Sequence, residues 1–316
     1  MTVVVGMRFS PKSGIVVADE QGTDFTLNLK SINADKIYDD GAQPLPGLVI
    51  GVSGALYATR KVVLEYTTGS ERGPEAFNSV VHAVKKTLLD DYIRSKYHVG
   101  PEAFRTGRDV NGLEINRNLM ERLERVYDSN GGEINGAVNN SFLLLEPENM
   151  RLWSSSMLDV SLFPVSSPSR SIGSGASAAQ MTLDEFYGRI PRENRENLTF
   201  TKGLQGAVTA VAKASLHHNG VEGTPNMAIV KDGAFYRPTH RNSRLIGEIV
   251  GATNEGLVAG GFADSVLEDL VFDATCFDTV EREFKRAATD SRALDLFLRG
   301  YPVYDRQESG SEAAIE

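Results

Sequence analysis

Residues 2–19 commit the chain to a sheet from its first turn. Thr2-Val3-Val4-Val5-Gly6-Met7 is rich in β-branched residues, Ser10-Pro11-Lys12-Ser13-Gly14 is a turn cluster, and Ile15-Val16-Val17-Ala18 resumes the apolar run. β-Branched side chains are stiff at χ1 and fit a pleated surface better than a helix, so the segment predicts a hairpin. Phe142-Leu143-Leu144-Leu145 and Arg151-Leu152-Trp153-Ser154 flank the turn Glu146-Pro147-Glu148-Asn149 and predict a second antiparallel pair. Lys231-Asp232-Gly233, between residues 226–230 and 234–236, predicts a third. Leu48-Val49-Ile50-Gly51-Val52 reads as one more strand, followed by a helix after Ser53-Gly54-Ala55.

The strongest helical signal runs over 74–97. Phe77, Val80, Val81, Val84, Leu88, Leu89, Tyr92 and Ile93 recur at three- and four-residue steps and make one apolar face. Further helices are expected over about 178–187, at Leu204, Val208, Val211, Ala212 and Leu216 with Asn219-Gly220 as the stop, and within 260–300. Strands therefore come as hairpins and helices in groups. That pattern predicts an α+β chain, with two antiparallel sheets carrying helices on their outer faces, rather than alternating βαβ units. Residues 98–140 change character, with Gly, Asn and Arg around a short amphipathic segment at 118–123, and read as an insertion.

Composition narrows the function. A net charge of −9 disfavours a general nucleic-acid binder, which needs Lys and Arg for phosphates. The single cysteine, Cys276, excludes an intrachain disulfide and a Cys-rich zinc site, and is expected to be a small buried hydrophobe. No apolar run reaches membrane-spanning length, and Met1-Thr2-Val3-Val4-Val5-Gly6 has no basic n-region, so a soluble, cytoplasmic protein without a secretory signal is expected. No metal or cofactor is implied. Several familiar motifs fail: Gly173-Ser174-Gly175-Ala176 lacks dinucleotide-loop spacing, and Gly51-Val52-Ser53-Gly54-Ala55 has Ala55 where a nucleophile elbow needs glycine. A Ser-His-Asp arrangement using Ser53 or Ser174 with His217, His218 or His240 has nothing to specify it. Adjacent His217 and His218 diverge on a helix and cannot share a metal as an i,i+4 pair does.

What stands out is an ordered set: Thr2 before a β-branched strand, Ala18-Asp19-Glu20-Gln21-Gly22-Thr23, Asp35-Lys36-Ile37-Tyr38, Gly51-Val52-Ser53-Gly54, and Ile172-Gly173-Ser174-Gly175. In these segments, over 2–95 and 140–240, the chain resembles the proteasome β-subunits and their bacterial HslV-type relatives, the N-terminal-threonine (Ntn) hydrolases. The resemblance implies an αββα four-layer sandwich over 2–245, interrupted by the 98–140 insertion; beyond it the residues themselves read as a helical extension over 246–306 and a disordered acidic tail over 307–316. It implies Thr2 as nucleophile once Met1 is removed, Lys36 and Asp19 as its charged support, the Gly54 N–H as oxyanion donor and Ser174 as a partner of the amine. Gly22, Thr23, Val52, Leu56 and Arg60 take the substrate-binding positions, Val52 at the pocket wall and Gly22 at its mouth. Glu20 and Lys30 compete with Asp19 and Lys36. The implied activity is peptide-bond cleavage of peptides or unfolded proteins inside a homo-oligomeric ring, fed by an ATP-dependent unfoldase.

The chemistry is self-consistent. A hydroxyl needs a base at neutral pH, and a free N-terminal amine, with a pKa of about 8, lies on the same residue as the Thr2 hydroxyl. One stretch departs from the family. Where it has an acidic residue followed by Ser-Gly-Gly, this chain has Leu216-His217-His218-Asn219-Gly220-Val221-Glu222-Gly223, with His218 or Asn219 at the acidic position and Val221 at the serine. That departure keeps a non-hydrolytic ring scaffold, or a transferase passing an acyl-Thr2 to an amine, as the alternative.

Overall fold

The computed structural model describes residues 2–20, 22–24, 29–31, 35–41, 45–100, 106–108, 112–128, 138–217, 223–273 and 275–299. The stop at Asn219-Gly220, the departing residues His218 to Val221 and the 307–316 tail lie outside them.

The N-terminal hairpin forms as its residues dictate, with β1 (Val3–Ser10) and β2 (Ser13–Ala18) in register from Val4 opposite Ala18. β1 is an interior strand of the first sheet, second from its edge. β10 (Ser169–Gly173) pairs along its other edge, placing Val3 opposite Gly173, while β11 (Asn226–Lys231) and β12 (Ala234–Tyr236) extend the sheet beyond β2. The second sheet runs β5 (Ile37–Asp39), β6 (Val49–Ser53), β7 (Ser141–Glu146), β8 (Arg151–Ser156) and β9 (Ser161–Pro164), all antiparallel. A small hairpin, β3 (Gly22–Asp24) with β4 (Leu29–Ser31), stands apart.

The sheets meet through one apolar layer: Val4, Val16, Ala18, Ala228 and Val230 from the first against Ile37, Val49, Leu143, Leu145 and Leu152 from the second. Gly6 and Gly51 have no room for a side chain in this layer, since a Cβ would fall 2.7 Å from Leu143 Cδ2 and 2.5 Å from Val4 Cγ1 respectively. Alternate residues along each strand face the helices. Ile50, Val52, Phe142 and Leu144 pack under α1 (Leu56–Thr68) and α2 (Pro74–Tyr97) through Val62, Tyr66, Phe77 and Val81. α2 covers the predicted span, with Pro74 at its start, where a missing N–H is harmless. On the other side, α4 (Ala176–Gly188) and α5 (Phe200–His217) cover the first sheet. There Phe9 meets Phe200 edge-on at 5.8 Å, and Gly203 lies directly over the Phe9 ring. The order is helices, sheet, sheet, helices. The insertion carries α3 (Arg117–Asp128).

The chain divides into two compact units between Arg237 and Pro238, so the boundary expected at 245/246 falls inside α6 (His240–Asn254). Thr239 caps α6 by accepting the Asn242 N–H, a side-chain cap that fixes where the helix begins. The second unit adds α7 (Gly260–Phe272), α8 (Phe277–Arg286) and α9 (Ser291–Leu298), packed on Leu245, Ile249, Leu267, Leu270 and Phe284. Cys276 is partly exposed rather than buried. It precedes α8, where Phe277 takes the core position, and its thiol donates to the Asp273 carbonyl at 3.1 Å. No helix among the described residues is long and apolar enough to cross a membrane.

Candidate active site

Five segments distant in sequence converge at one end of the two sheets. Thr2 enters β1 with its backbone held on the β10 side. Its N–H donates to Ser174 Oγ at 3.0 Å, and its carbonyl accepts from Ser174 Oγ at 3.3 Å and from the Gly175 N–H at 3.2 Å. Gly173 makes this approach possible. Its φ is +99°, and a Cβ there would lie 2.2 Å from the Thr2 carbonyl oxygen and 3.1 Å from Ser53 Oγ. Ser53, the last residue of β6, is thereby brought beside the Thr2 turn.

On the β2 side, the Val3 N–H donates to Asp19 Oδ1 at 2.7 Å, while the Asp19 N–H donates to the Val3 carbonyl at 3.2 Å. Asp19 Oδ2 stands 2.7 Å from Lys36 Nζ. Both side chains are nearly fully buried, at 2% and 6% exposure. Burial pushes the Asp19 carboxyl up, opposed by Lys36 and by the Val3 N–H. Burial pushes the Lys36 ammonium down, opposed by Asp19. The two opposite charges are thus held in a dry environment, where the field of each on a neighbouring group is screened far less than in water. Lys36 immediately precedes β5, and its carbonyl accepts the Val52 N–H at 2.9 Å, tying the lysine to the strand that ends in Ser53.

The serines of the two Ser-Gly turns do not cap helices. α1 starts after Ala55 and α4 after Gly175, neither with a side-chain cap. The Ser174 hydroxyl is spent on the Thr2 backbone instead. Of the two neighbouring acids, Asp19 is the one facing Lys36. The Glu20 carboxylate is buried against Gly223 and accepts the Thr224 N–H at 3.3 Å. Lys30 lies on β4 opposite Thr23, and its side chain is outside the described residues.

The structure thus sets the Thr2 backbone against Ser174 and, one residue on through the Val3 N–H, beside the Asp19–Lys36 pair, with Ser53 and Gly173 alongside. Gly54 is exposed in the turn that follows Ser53. The substrate-binding positions spread out. Gly22 and Thr23 form β3, with side chains outside the described residues. Val52 is buried in the core beneath α1 and α2. Leu56 opens α1 half-exposed, and Arg60 is exposed beside the Tyr38 hydroxyl, which itself donates to the Asp35 carbonyl at 2.8 Å. His217's side chain and His218 lie outside the described residues, and His240 opens α6 in the second unit.

One residue of this region carried no sequence signal. Asn140, at the end of the insertion, is fully buried against the Gly54 turn. Its contacts span 85 residues, which no local pattern encodes. In comparisons with known proteins, the sequence matches no family model and no curated protein.

Proposed function

We propose that this chain is an N-terminal-threonine hydrolase of the proteasome-like Ntn class that cleaves peptide bonds. The observation carrying the reading is the continuous network from Ser174 Oγ through the Thr2 backbone and Val3 N–H to the buried Asp19–Lys36 pair. The αββα layering and the sheet-end position of Thr2 support it.

The reaction requires that the chain be cut ahead of Thr2, since an acylated nitrogen is no base. The freed amine, held by Ser174 Oγ, takes the Thr2 hydroxyl proton directly or through one water. The hydroxyl oxygen then attacks the substrate carbonyl carbon. The carbonyl electron pair moves onto oxygen, where the Gly54 N–H stabilises it. Lys36 favours the alkoxide-like state, and Asp19 holds the lysine. Collapse expels the leaving amine, which takes the proton, and leaves an acyl ester on Thr2. Water activated by the same amine hydrolyses the ester. The substrate class is peptides or unfolded proteins, the working form a homo-oligomer in the cytoplasm, and an ATP-dependent unfoldase a candidate partner.

The test is mass spectrometry of the purified full chain after treatment with a peptide epoxyketone or a β-lactone. The expected result is an N-terminus at Thr2, a single adduct on Thr2, and loss of both adduct and turnover in Thr2→Ala with the fold retained. Protein that begins at Thr2 yet stays unlabelled and inactive overturns the reading. A product carrying a new peptide bond selects transfer over hydrolysis.

A further inference from the structure

The Gly54 turn has no capping side chain of its own, yet it is held from the start of the neighbouring strand β7. Gly54 has φ +130°, and a Cβ on it would fall 2.6 Å from the Asn139 carbonyl oxygen, 2.7 Å from Asn140 Cγ and 2.8 Å from Asn140 Cα. The Asn140 side chain then brackets the next residue. Its Oδ1 accepts the Ala55 N–H at 3.3 Å, and its Nδ2 donates to the Ala55 carbonyl at 2.9 Å and to Thr59 Oγ1 at 2.8 Å. Asn140 is itself pinned, since its carbonyl accepts the Met157 N–H at 2.9 Å and it immediately precedes β7. An amide that accepts from one side of Ala55 and donates to the other fixes both peptide planes flanking that residue. The Gly54 Cα packs on the Asn139 carbonyl and on Asn140 with no room for a side chain. The Gly54 N–H belongs to the next plane back, between Ser53 and Gly54, and is joined to the fixed planes through that packed Cα.

We propose that Asn140 is a positioning residue for the oxyanion donor, holding the Gly54 N–H where charge develops on the substrate carbonyl oxygen. This rests on the Thr2-hydrolase reading given above. A misaimed oxyanion donor weakens transition-state binding without touching substrate binding, so the effect belongs in kcat and not in KM.

The test compares Asn140→Asp, Thr59→Val and wild type as full chains. It measures kcat and KM on a fluorogenic peptide, the rate of β-lactone labelling of Thr2, and thermal melting. Asn140→Asp keeps the size and the acceptor but removes both donors. The expected result is a kcat and labelling rate lower by about tenfold or more with KM little changed, since deleting one oxyanion donor outright costs about 10²–10³ in kcat. Thr59→Val removes one of the three bonds and leaves the core volume nearly unchanged. It keeps the proposal open to refutation if Asn140→Asp fails to fold, and is expected to lower kcat by about threefold, the worth of one modest neutral hydrogen bond. Wild-type rates in the folded variants, or losses confined to KM, overturn the role of Asn140 and leave the Thr2 reading standing. A wild-type chain that begins at Thr2 and is not labelled overturns both, and is distinguished by failing before any variant is compared.

Discussion

Replacing Lys36 by methionine removes one charge from a pair whose members are almost wholly out of water. Breaking a buried pair by deleting one partner costs about 3–5 kcal/mol, because the remaining charge stays buried without compensation. For a unit of this size each kcal/mol moves the melting temperature by about 2–4 °C, so Lys36→Met is expected to melt about 6–20 °C lower at neutral pH. Asp19→Asn strands the ammonium instead, while an asparagine Oδ1 can still accept the Val3 N–H. The double variant removes both charges and keeps that hydrogen bond, so it is expected to recover to within about 1–2 kcal/mol of wild type. The two single variants should respond to pH in opposite directions. In Lys36→Met the Asp19 carboxyl sits above its ordinary value of 3.8, so the deficit shrinks as pH falls through that raised value toward 3.8, where the unfolded chain also takes up the proton. In Asp19→Asn the Lys36 ammonium sits below its ordinary 10.5, so that deficit shrinks as pH rises through that lowered value toward 10.5. Denaturant unfolding across pH measures both. Deficits of the same pH slope, or a double variant as unstable as the sum of the singles, would refute the argument.

Two substitutions probe the Thr2 turn. Gly173→Ala forces a left-handed torsion on a side chain aimed at the Thr2 carbonyl, and is expected to cost about 1–3 kcal/mol and to slow Thr2 labelling, read by melting and by mass spectrometry. Ser174→Ala removes the hydroxyl that bonds the Thr2 nitrogen, and is expected to cost only about 0.5–1.5 kcal/mol in stability, with turnover falling far more than the melting temperature.

The elements legible in the sequence are those whose cause is local. The 2–19 hairpin follows from two β-branched runs about a turn, and α2 from an unbroken apolar stripe opened by Pro74. β9 carries only Ser161-Leu162-Phe163-Pro164 at the sheet's edge and gives too short a pattern to see. α6 went unnoticed at its start because its beginning is set by Thr239 rather than by hydrophobic periodicity. In the site, the order of Thr2, Asp19, Lys36 and Ser174 is legible, whereas the place of the competing Glu20 is not. Adjacent Asp19 and Glu20 are separated only by where their side chains go, one to Lys36 and the other to Thr224. The family resemblance puts Val52 at a pocket wall, whereas strand alternation in β6 turns it toward the helices. Asn140 belongs to a stretch that reads as an insertion, and its role appears only when β7 is laid beside β6.

The sheet order also sets a clock on synthesis. β1 is translated well ahead of β10, its partner along one edge, and the hydroxyl that holds Thr2 lies 172 residues downstream. At about 5–20 residues per second, about 9–34 s of translation separate the two. β2, which carries Asp19 at its end, acquires its second neighbour only when residues 226–231 emerge. The β1–β2 hairpin must therefore wait with both outer edges bare until β10 emerges, and with the β2 edge bare until β11 follows, open to mispairing throughout. Thr2 therefore lacks the Ser174 hydroxyl, and β2 its second neighbour, for as long as translation takes to reach them.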